Sequence, residues 1–423
     1  MQQTGGLITR ATHRDEGWGD DTMGHPVRDP ARGVSRRAVL QQAAMATVGA
    51  VAIGTSGAGN PPLTQAMATP ARDRLSSGMD LRPRDAIGSI LAALDRYPLV
   101  ALGERHLVQE MHDLLTALLR HPALPGKISA IVVEFGNALY QDLADRFILG
   151  GQPVARADLT RLWRFTIGGN VLWDAPVYEQ FLRTVRAVNA LLPAARRIRV
   201  LLGDPPFDHR RVRGPADKGY VLSMIAQRDA HYAGVVEHEV LHRGRRALLI
   251  AGSNHLLRGL RGHEGAQGLN VASRLAQGHP GALYVIDLLV LPPGASPDPL
   301  VQRAQAAVAG WPRPSVAPLV GTWLGATTQS AEPWINSGAY LASTLAARRY
   351  GAQADAILWV GPGAVLTASQ ADPTLYQCGA YRAELQRLSR LYTRAGQPTD
   401  FVADGLRHAQ AGPSWFAQFG GSK

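Results

Sequence analysis

Five short, predominantly apolar runs constrain the fold of this chain most strongly, because amphipathic segments alternate with them. The runs are 98–102, 130–133, 198–202, 247–251 and 282–289. Short runs that are apolar throughout are typical of strands buried on both faces, as in parallel sheets. The segments between them, such as 107–120 and 177–191, carry apolar residues at helical spacing. The pattern predicts an α/β fold with a mostly parallel sheet, helices on both faces, and a less regular C-terminal extension.

The N-terminal region is predicted to lie outside this fold. The pair Arg36-Arg37 precedes a weakly apolar, Ala/Gly-rich stretch, and 66–68 reads Ala-Met-Ala, a small-residue cleavage site. This order is typical of a twin-arginine export signal. We therefore expect residues 1–68 to be a removable signal region that engages the twin-arginine export machinery, and the mature protein to be periplasmic or secreted.

The rest of the chain divides into three predicted parts. Residues 69–81 form a linker, 82–295 an α/β core, and 296–423 a C-terminal extension packed on that core. Within the extension, the apolar run 356–360 ends in glycine and proline and could join the sheet as its last strand. The apolar stretch of the signal region is too short to span a bilayer, so no stable membrane anchor is expected in the mature chain.

Composition argues against several classes of protein. The net charge is +11, yet the arginines are scattered and form no basic stripe interleaved with aromatic residues, so no nucleic-acid partner is expected. The single cysteine, Cys378, excludes an internal disulfide. Neither a Gly-x-Gly-x-x-Gly nor a Walker-type loop occurs, and no nucleotide cofactor is predicted. A Gly-x-Ser-x-Gly elbow is also missing, which leaves nucleophilic catalysis without support.

Two Gly-x-x-His motifs are the best indication of a functional site in this chain. Gly103 and His106 follow the run 98–102, while Gly252 and His255 follow the run 247–251. The carboxyl ends of parallel strands border the crevice in which α/β proteins bind ligands. Two histidines from distant strands are therefore expected to face one pocket.

Acidic residues end the predicted strands as well. Glu104 lies within the first motif and Glu134 follows the run 130–133, where a charge needs a partner or a ligand. We interpret Asp204 differently: two prolines follow it, so it is expected to be a turn residue.

These residue types allow two kinds of chemistry. Carboxylate and imidazole groups that converge could bind a divalent metal, for which the predicted ligands are His106, Glu134 and His255. Without a metal, a His/Glu pair could act as a general base and its orienting group. Glu104 is expected to orient a ligand or act as the base.

A long predicted helix at 218–242 adds further candidates. Arg228 and His231 are three residues apart and share a face, beside Tyr232. An arginine at the flank of a buried face could bind a carboxylate or stabilise an oxyanion, with His231 assisting. His112 is at helical spacing from His106 and could point into the same pocket, although we interpret it as an ordinary helix histidine.

The two motifs also resemble those of a known superfamily. Leu102-Gly103-Glu104-Arg105-His106 is similar to the opening motif of ChaN-like haem-binding proteins, and 249–255 is similar to their second motif. Erythromycin-esterase-like proteins and the TraB/Tiki metalloproteases share this plan more loosely. The resemblance covers about 82–289. It implies a polar pocket formed by Glu104, His106, Glu134, Arg228, His231 and His255.

The resemblance also implies two functions. One is an exported hydrolase that cleaves an ester or amide of a small molecule or peptide, either with a divalent metal or with a His/Glu base. The other is a ChaN-like protein that binds haem without catalysis, for which Tyr140 and Tyr232 are the candidate ligands. The segment Glu104-Arg105-His106 lacks the extra residue found between Glu and His in the esterases. Whether the chain is an enzyme is left open by the sequence.

Overall fold

The structure is a computed structural model that describes residues 78–167, 171–262, 268–328, 349–377, 379–390, 393–394 and 397–419. The predicted signal region 1–68, most of the predicted linker, and Cys378 lie outside the described residues. No helix in the described ranges is long and apolar enough to cross a membrane.

An eight-stranded sheet forms the centre of the described chain. In sequence order its strands are β1 (Arg84–Asp85), β2 (Leu99–Glu104), β3 (Ala130–Asn137), β4 (Arg199–Asp204), β5 (Ala247–Gly252), β6 (Leu283–Leu288), β7 (Ser315–Pro318) and β8 (Ala356–Trp359). Their order in space is β1-β7-β8-β6-β2-β5-β3-β4, and the six strands from β8 to β4 are parallel. Only β7 and β1 run antiparallel to their neighbours within this sheet. The predicted α/β class is confirmed.

Helices connect the strands. They are α1 (Ala86–Arg96), α2 (Gln109–Arg120), α3 (Gln141–Ile148), α4 (Arg156–Leu159), α5 (Arg161–Arg164), α6 (Pro176–Ala190), α7 (Lys218–Ala226), α8 (Arg228–Glu239), α9 (Ser253–Leu256), α10 (Val271–Gly278), α11 (Pro299–Val308), α12 (Trp323–Ala326), α13 (Tyr350–Gln353), α14 (Gly379–Ser389), α15 (Phe401–Gln410) and α16 (Trp415–Phe419). A separate two-stranded hairpin pairs β9 (Thr393–Arg394) with β10 (Gln397–Pro398).

Alternate residues of the central strands bury into two different cores. Val100 and Leu102 of β2 pack on one face with α2, while Leu99 and Ala101 pack on the other face with residues such as Val236 of α8. Successive side chains of a strand point to opposite faces, so a strand apolar throughout must be covered on both sides. This explains why the strands are continuous apolar runs in the sequence.

The predicted helix at 218–242 is wrong in one respect, since the structure divides it into α7 and α8 at Gln227. This residue has φ −87° and ψ −5°, in the bridge region between helix and turn. The division lets α8 begin with Arg228 and Asp229, and both side chains are buried.

The C-terminal extension contributes directly to the sheet. Strand β8 pairs with β6, so the run 356–360 joins the sheet as predicted. It is not the last strand, because β7 and β1 lie beyond it.

Candidate functional site

Strand order brings the two Gly-x-x-His motifs together. Strands β2 and β5 are adjacent and parallel, and Glu104 is in register with Gly252. The polar residues that follow both strands therefore meet at one edge of the sheet, where β3 adds Glu134 from the other side of β5.

His106 and Glu104 form the first half of the site. His106 Nδ1 lies 2.6 Å from Glu104 Oε1, and the His106 side chain is 28% exposed while that of Glu104 is fully buried. The His106 ring packs edge-on against Trp173, with 4.8 Å between ring centroids. Because Nδ1 is hydrogen-bonded to the carboxylate, Nε2 is the ring nitrogen available for proton transfer.

Burial alone would lower the pKa of His106, but the hydrogen bond to Glu104 and the charges of Glu134 and Glu104 outweigh it and raise that pKa above 6.5. His112 also joins this half, since its Nε2 lies 3.5 Å from Glu104 Oε2 and its side chain is buried. The interpretation of His112 as an ordinary helix histidine was wrong: burial lowers its pKa, so it stays neutral beside the carboxylate.

Glu134 is the centre of the second half. Its Oε1 accepts hydrogen bonds from Arg228 Nη2 at 3.1 Å and contacts His255 Nε2 at 3.2 Å, while Oε2 accepts from the Gly252 amide at 2.6 Å. Burial would raise the pKa of Glu134, yet the charge and hydrogen bond of His255, with the charges of His106 and Arg228, hold it well below its usual range. Glu134 is therefore ionised.

Arg228 connects Glu134 to a second buried acid. Its Nε donates to Asp204 Oδ1 at 2.7 Å, and the Ile167 amide donates to Asp204 Oδ2 at 3.1 Å. The interpretation of Asp204 as a turn residue was therefore wrong, because its carboxylate points into the site and is 2% exposed. Burial raises the pKa of Asp204 and the Arg228 guanidinium opposes that rise.

His255 lies between two acids. Its Nδ1 is 2.7 Å from Asp229 Oδ1, and its Nε2 faces Glu134. Burial lowers the pKa of His255, but the charges of Glu134 and Asp229 overcome this effect and raise it to about 10. At neutral pH this histidine is an imidazolium. Sequence reasoning missed Asp229, whose only signal was its position directly after Arg228.

The two halves of the site meet at Gly252. A Cβ added to this residue would lie 3.1 Å from both Cε1 and Nε2 of His106 and 3.3 Å from Glu134 Oε2. The glycine therefore allows the His106 ring and the Glu134 carboxylate to approach each other across the end of β5.

We expect Gly252→Ala to fold and to lose activity. The backbone of Gly252 has φ −52° and ψ 139°, which any residue can adopt, so the added methyl acts by crowding the His106 ring and the Glu134 carboxylate. A small misplacement of a reacting group can cost roughly 10²-fold in rate, and we expect a loss approaching that size in any reaction that depends on His106. Gly234→Ala is the matched control, because nothing lies within 4 Å of its added Cβ. Equal activity in both variants would contradict this prediction.

The backbone that carries His106 is strained and is held by the C-terminal extension. Leu107 has φ +71°, a left-handed conformation that is unfavourable for a bulky residue. It explains why α2 begins at Gln109 and not at 107 as predicted. The Ser369 amide donates to the Leu107 carbonyl at 2.8 Å, and the Trp415 indole N–H donates to the His106 carbonyl at 2.7 Å.

Three of the residues predicted to belong to the site or its cofactor lie elsewhere. His231 Nδ1 is 3.0 Å from the Gly203 carbonyl, away from the carboxylates. The Tyr232 hydroxyl donates to the Val132 carbonyl at 2.7 Å. Since Tyr232 is 3% exposed, it is a core residue that cannot reach a haem iron. Tyr140 lines a different pocket.

The proposed metal ligands are brought together, but their arrangement does not fit a metal site. Both oxygens of Glu134 are bonded to Arg228, His255 and the Gly252 amide. Across the described ranges, no group of three His, Cys, Asp or Glu side chains is placed to hold a metal ion.

Comparisons with known proteins show the fold. No family model and no curated protein matches the chain. A Bacillus cereus protein of solved structure is similar at a TM-score of 0.50 and 10% identity, over 69% of this chain and 97% of that one. An erythromycin esterase variant matches at a TM-score of 0.45 and 13% identity, over 67% of this chain and 97% of that one. Campylobacter jejuni ChaN with cofacial haem matches at a TM-score of 0.32 and 16% identity, over 50% of this chain and 88% of that one. The first likeness shows a shared α/β fold.

Proposed function

We propose that this protein hydrolyses esters by general-base activation of water, without a metal ion. The observation that carries the proposal is the pairing of two histidines with different roles at the end of β5. His106 is oriented by Glu104 and is partly exposed, so it can exchange a proton with a substrate water. His255, between Glu134 and Asp229, is a fixed cation. Groups whose environments separate their pKa values are typical of acid–base sites.

The chemistry follows from these positions. A water molecule donates a hydrogen bond to His106 Nε2, which removes its proton as the water oxygen attacks the ester carbonyl carbon. The C=O electron pair moves to oxygen and gives a tetrahedral oxyanion. When this collapses, the C–O bond to the alcohol breaks, and the protonated His106 returns the proton to the leaving alkoxide. The products are a carboxylic acid and an alcohol, and Glu104 stabilises the transient imidazolium through Nδ1.

We propose that Arg228 stabilises the oxyanion. It uses Nε for Asp204 and Nη2 for Glu134. Among the described residues, no hydrogen bond is made by Nη1, so this nitrogen can donate to a developing negative charge. The side chain is 10% exposed, which places the guanidinium at the edge of a low-dielectric region.

Esters are the proposed substrate class because an alkoxide leaves more readily than an amine anion, and the site offers one proton-transfer group. We further propose that the reaction takes place outside the cytoplasm, since the pattern at 35–68 is typical of twin-arginine export.

The pH dependence of hydrolysis tests the proposal. The base form of His106 exists only above its pKa, which is raised from 6.5, so kcat/KM should increase as pH rises through a value above 6.5. It should fall again near pH 10, where His255 loses its proton. We expect this bell-shaped profile with p-nitrophenyl acetate after subtraction of the uncatalysed rate, and no effect of EDTA.

Two results would contradict the proposal, and each would establish a different function. Activity lost in EDTA and restored by Zn²⁺ would establish metal-assisted hydrolysis. A Soret band on addition of haemin that disappears in Tyr140→Phe, with no hydrolysis at any pH, would establish the haem-binding alternative.

A further inference from the structure

A second pocket lies outside the histidine–carboxylate site. It has a volume of about 380 Å³ and is formed by α5, the turn His209–Arg211 and α14. Its lining contains three arginines, Arg161, Arg164 and Arg210, together with Tyr140. We call it the arginine pocket. None of the residues in the proposed reaction lines it.

Flat surfaces form part of the lining. The rings of Phe165 and His209 stack with centroids 4.0 Å apart and an interplanar angle of 13°. The Arg164 guanidinium lies over the Tyr381 ring, 4.6 Å from its centroid. His209 Nδ1 is buried and has no hydrogen-bond partner within the described residues. Stacked surfaces of this kind favour a planar ring.

Two arginines line this pocket together with Tyr140, and they come from different elements. Burial raises the pKa of Tyr140, and the charges of Arg210 and Arg161 oppose that rise. Arg161 pairs with Asp158 at 3.2 Å and is 48% exposed, and Arg210 pairs with Asp208 at 3.1 Å and is 70% exposed. Exposed ion pairs contribute little free energy, so these guanidiniums can turn toward a ligand anion.

The acidic residue of the lining does not oppose an anion. Glu384 is bonded by Arg387, with Nε 2.8 Å from Oε2 and Nη2 2.5 Å from Oε1. Its charge is therefore compensated from outside the pocket.

We propose that the arginine pocket binds a planar aromatic carboxylate. The ring lies against the Phe165–His209 stack, and the carboxylate accepts hydrogen bonds from Arg161, Arg210 and the Tyr140 hydroxyl. Arginine suits this role because its guanidinium donates two parallel hydrogen bonds to a carboxylate.

The pocket adjoins the proposed reaction site through two consecutive residues. Asp174 accepts hydrogen bonds from Arg164 at 2.8 Å and from the Tyr381 hydroxyl at 2.7 Å, and both donors line the pocket. Trp173, the residue before it, packs on the His106 ring. A ligand in the pocket is therefore held next to the residues that support His106.

Isothermal titration calorimetry of the full chain with 2-naphthoate tests the inference. We expect saturable binding that weakens at least tenfold when Arg161→Gln and Arg210→Gln are combined. Both side chains are exposed, so thermal melting should be unchanged. Arg245→Gln, at an exposed arginine outside the pocket lining, is the matched control and should bind as the parent does.

The ligand series makes the assignment specific. Naphthalene-2-carboxamide lacks the charge and cyclohexanecarboxylate lacks the planar ring, and each should bind at least tenfold more weakly than 2-naphthoate. Equal binding of either compound, no binding of 2-naphthoate, or equal affinity in the double variant would overturn the inference. Tighter binding of phenyl phosphate by more than tenfold would also overturn it, in favour of an aryl phosphate. Because binding is measured without turnover, a failure of the proposed hydrolysis would leave this result intact.

Discussion

His106→Ala is expected to lower kcat/KM for p-nitrophenyl acetate by about 10²- to 10⁴-fold, the usual contribution of a positioned general base. The variant removes the nitrogen that takes the proton from water and leaves the cationic half of the site in place. Because the His106 side chain is 28% exposed, its loss removes little packing, and circular dichroism and thermal melting would report the cost of leaving buried Glu104 without this partner.

Two further variants make this test more specific, one at a matched histidine and one at the partner acid. His238→Ala removes a histidine that is 74% exposed and distant from the chemistry, and it should retain full activity. Glu104→Gln keeps a hydrogen-bond acceptor for His106 Nδ1 but removes the negative charge, so it should lower the apparent pKa of the rising limb and reduce kcat less than His106→Ala does. Retention of parental kcat/KM in His106→Ala would show that another group activates water.

Arg228→Met is expected to lower the free energy of unfolding by about 3–5 kcal/mol, because it leaves the buried carboxylate of Asp204 without its cation and leaves Glu134 with His255 alone. Glu134 and Asp204 are 4% and 2% exposed, so water cannot replace the guanidinium. Methionine has a volume similar to that of arginine, so the loss of unfolding free energy reports the missing charge rather than a change in packing. Urea unfolding at pH 7 gives the measurement.

The pH dependence of this loss has a defined sign. Without Arg228, burial raises the pKa of Asp204 further above its unfolded value, so folding favours the protonated acid and the variant gains stability relative to the parent as pH falls. The difference between parent and variant should be smaller at pH 5 than at pH 7. Arg183→Met, at a half-exposed i,i+4 pair with Glu179, is the control and should cost under about 1 kcal/mol. A similar small cost in Arg228→Met would contradict the interpretation of the buried ion pairs.

Much of the fold could be predicted because the strands are buried on both faces. An apolar run such as 247–251 is compatible with few structures other than a buried strand, and the polar residue after it marks where the strand ends. The meeting of Glu104 with Gly252 could not be predicted, since it depends on β5 inserting beside β2 and no local pattern encodes strand order.

Residues that follow strands were easier to assign to the site than residues on a helix, where Arg228 was predicted but Asp229 was missed. His106, Glu134 and His255 all lie at strand ends and all belong to the site. Asp229 was missed because its contact with His255 depends on the break at Gln227, which is a tertiary effect. His231 was assigned wrongly because it shares a helix face with Arg228, although the face alone does not say which side chain reaches the carboxylates.

The hydrogen bond from Trp415 to the His106 carbonyl has a consequence for the timing of synthesis. The two residues are separated by 309 positions in sequence. At the usual rate of about 5–20 residues per second, a ribosome needs roughly 15–60 s to make the intervening chain. During that interval the nascent protein already contains its base but lacks the group that fixes the base in place. The backbone of His106 therefore gains this support only late in the production of the chain.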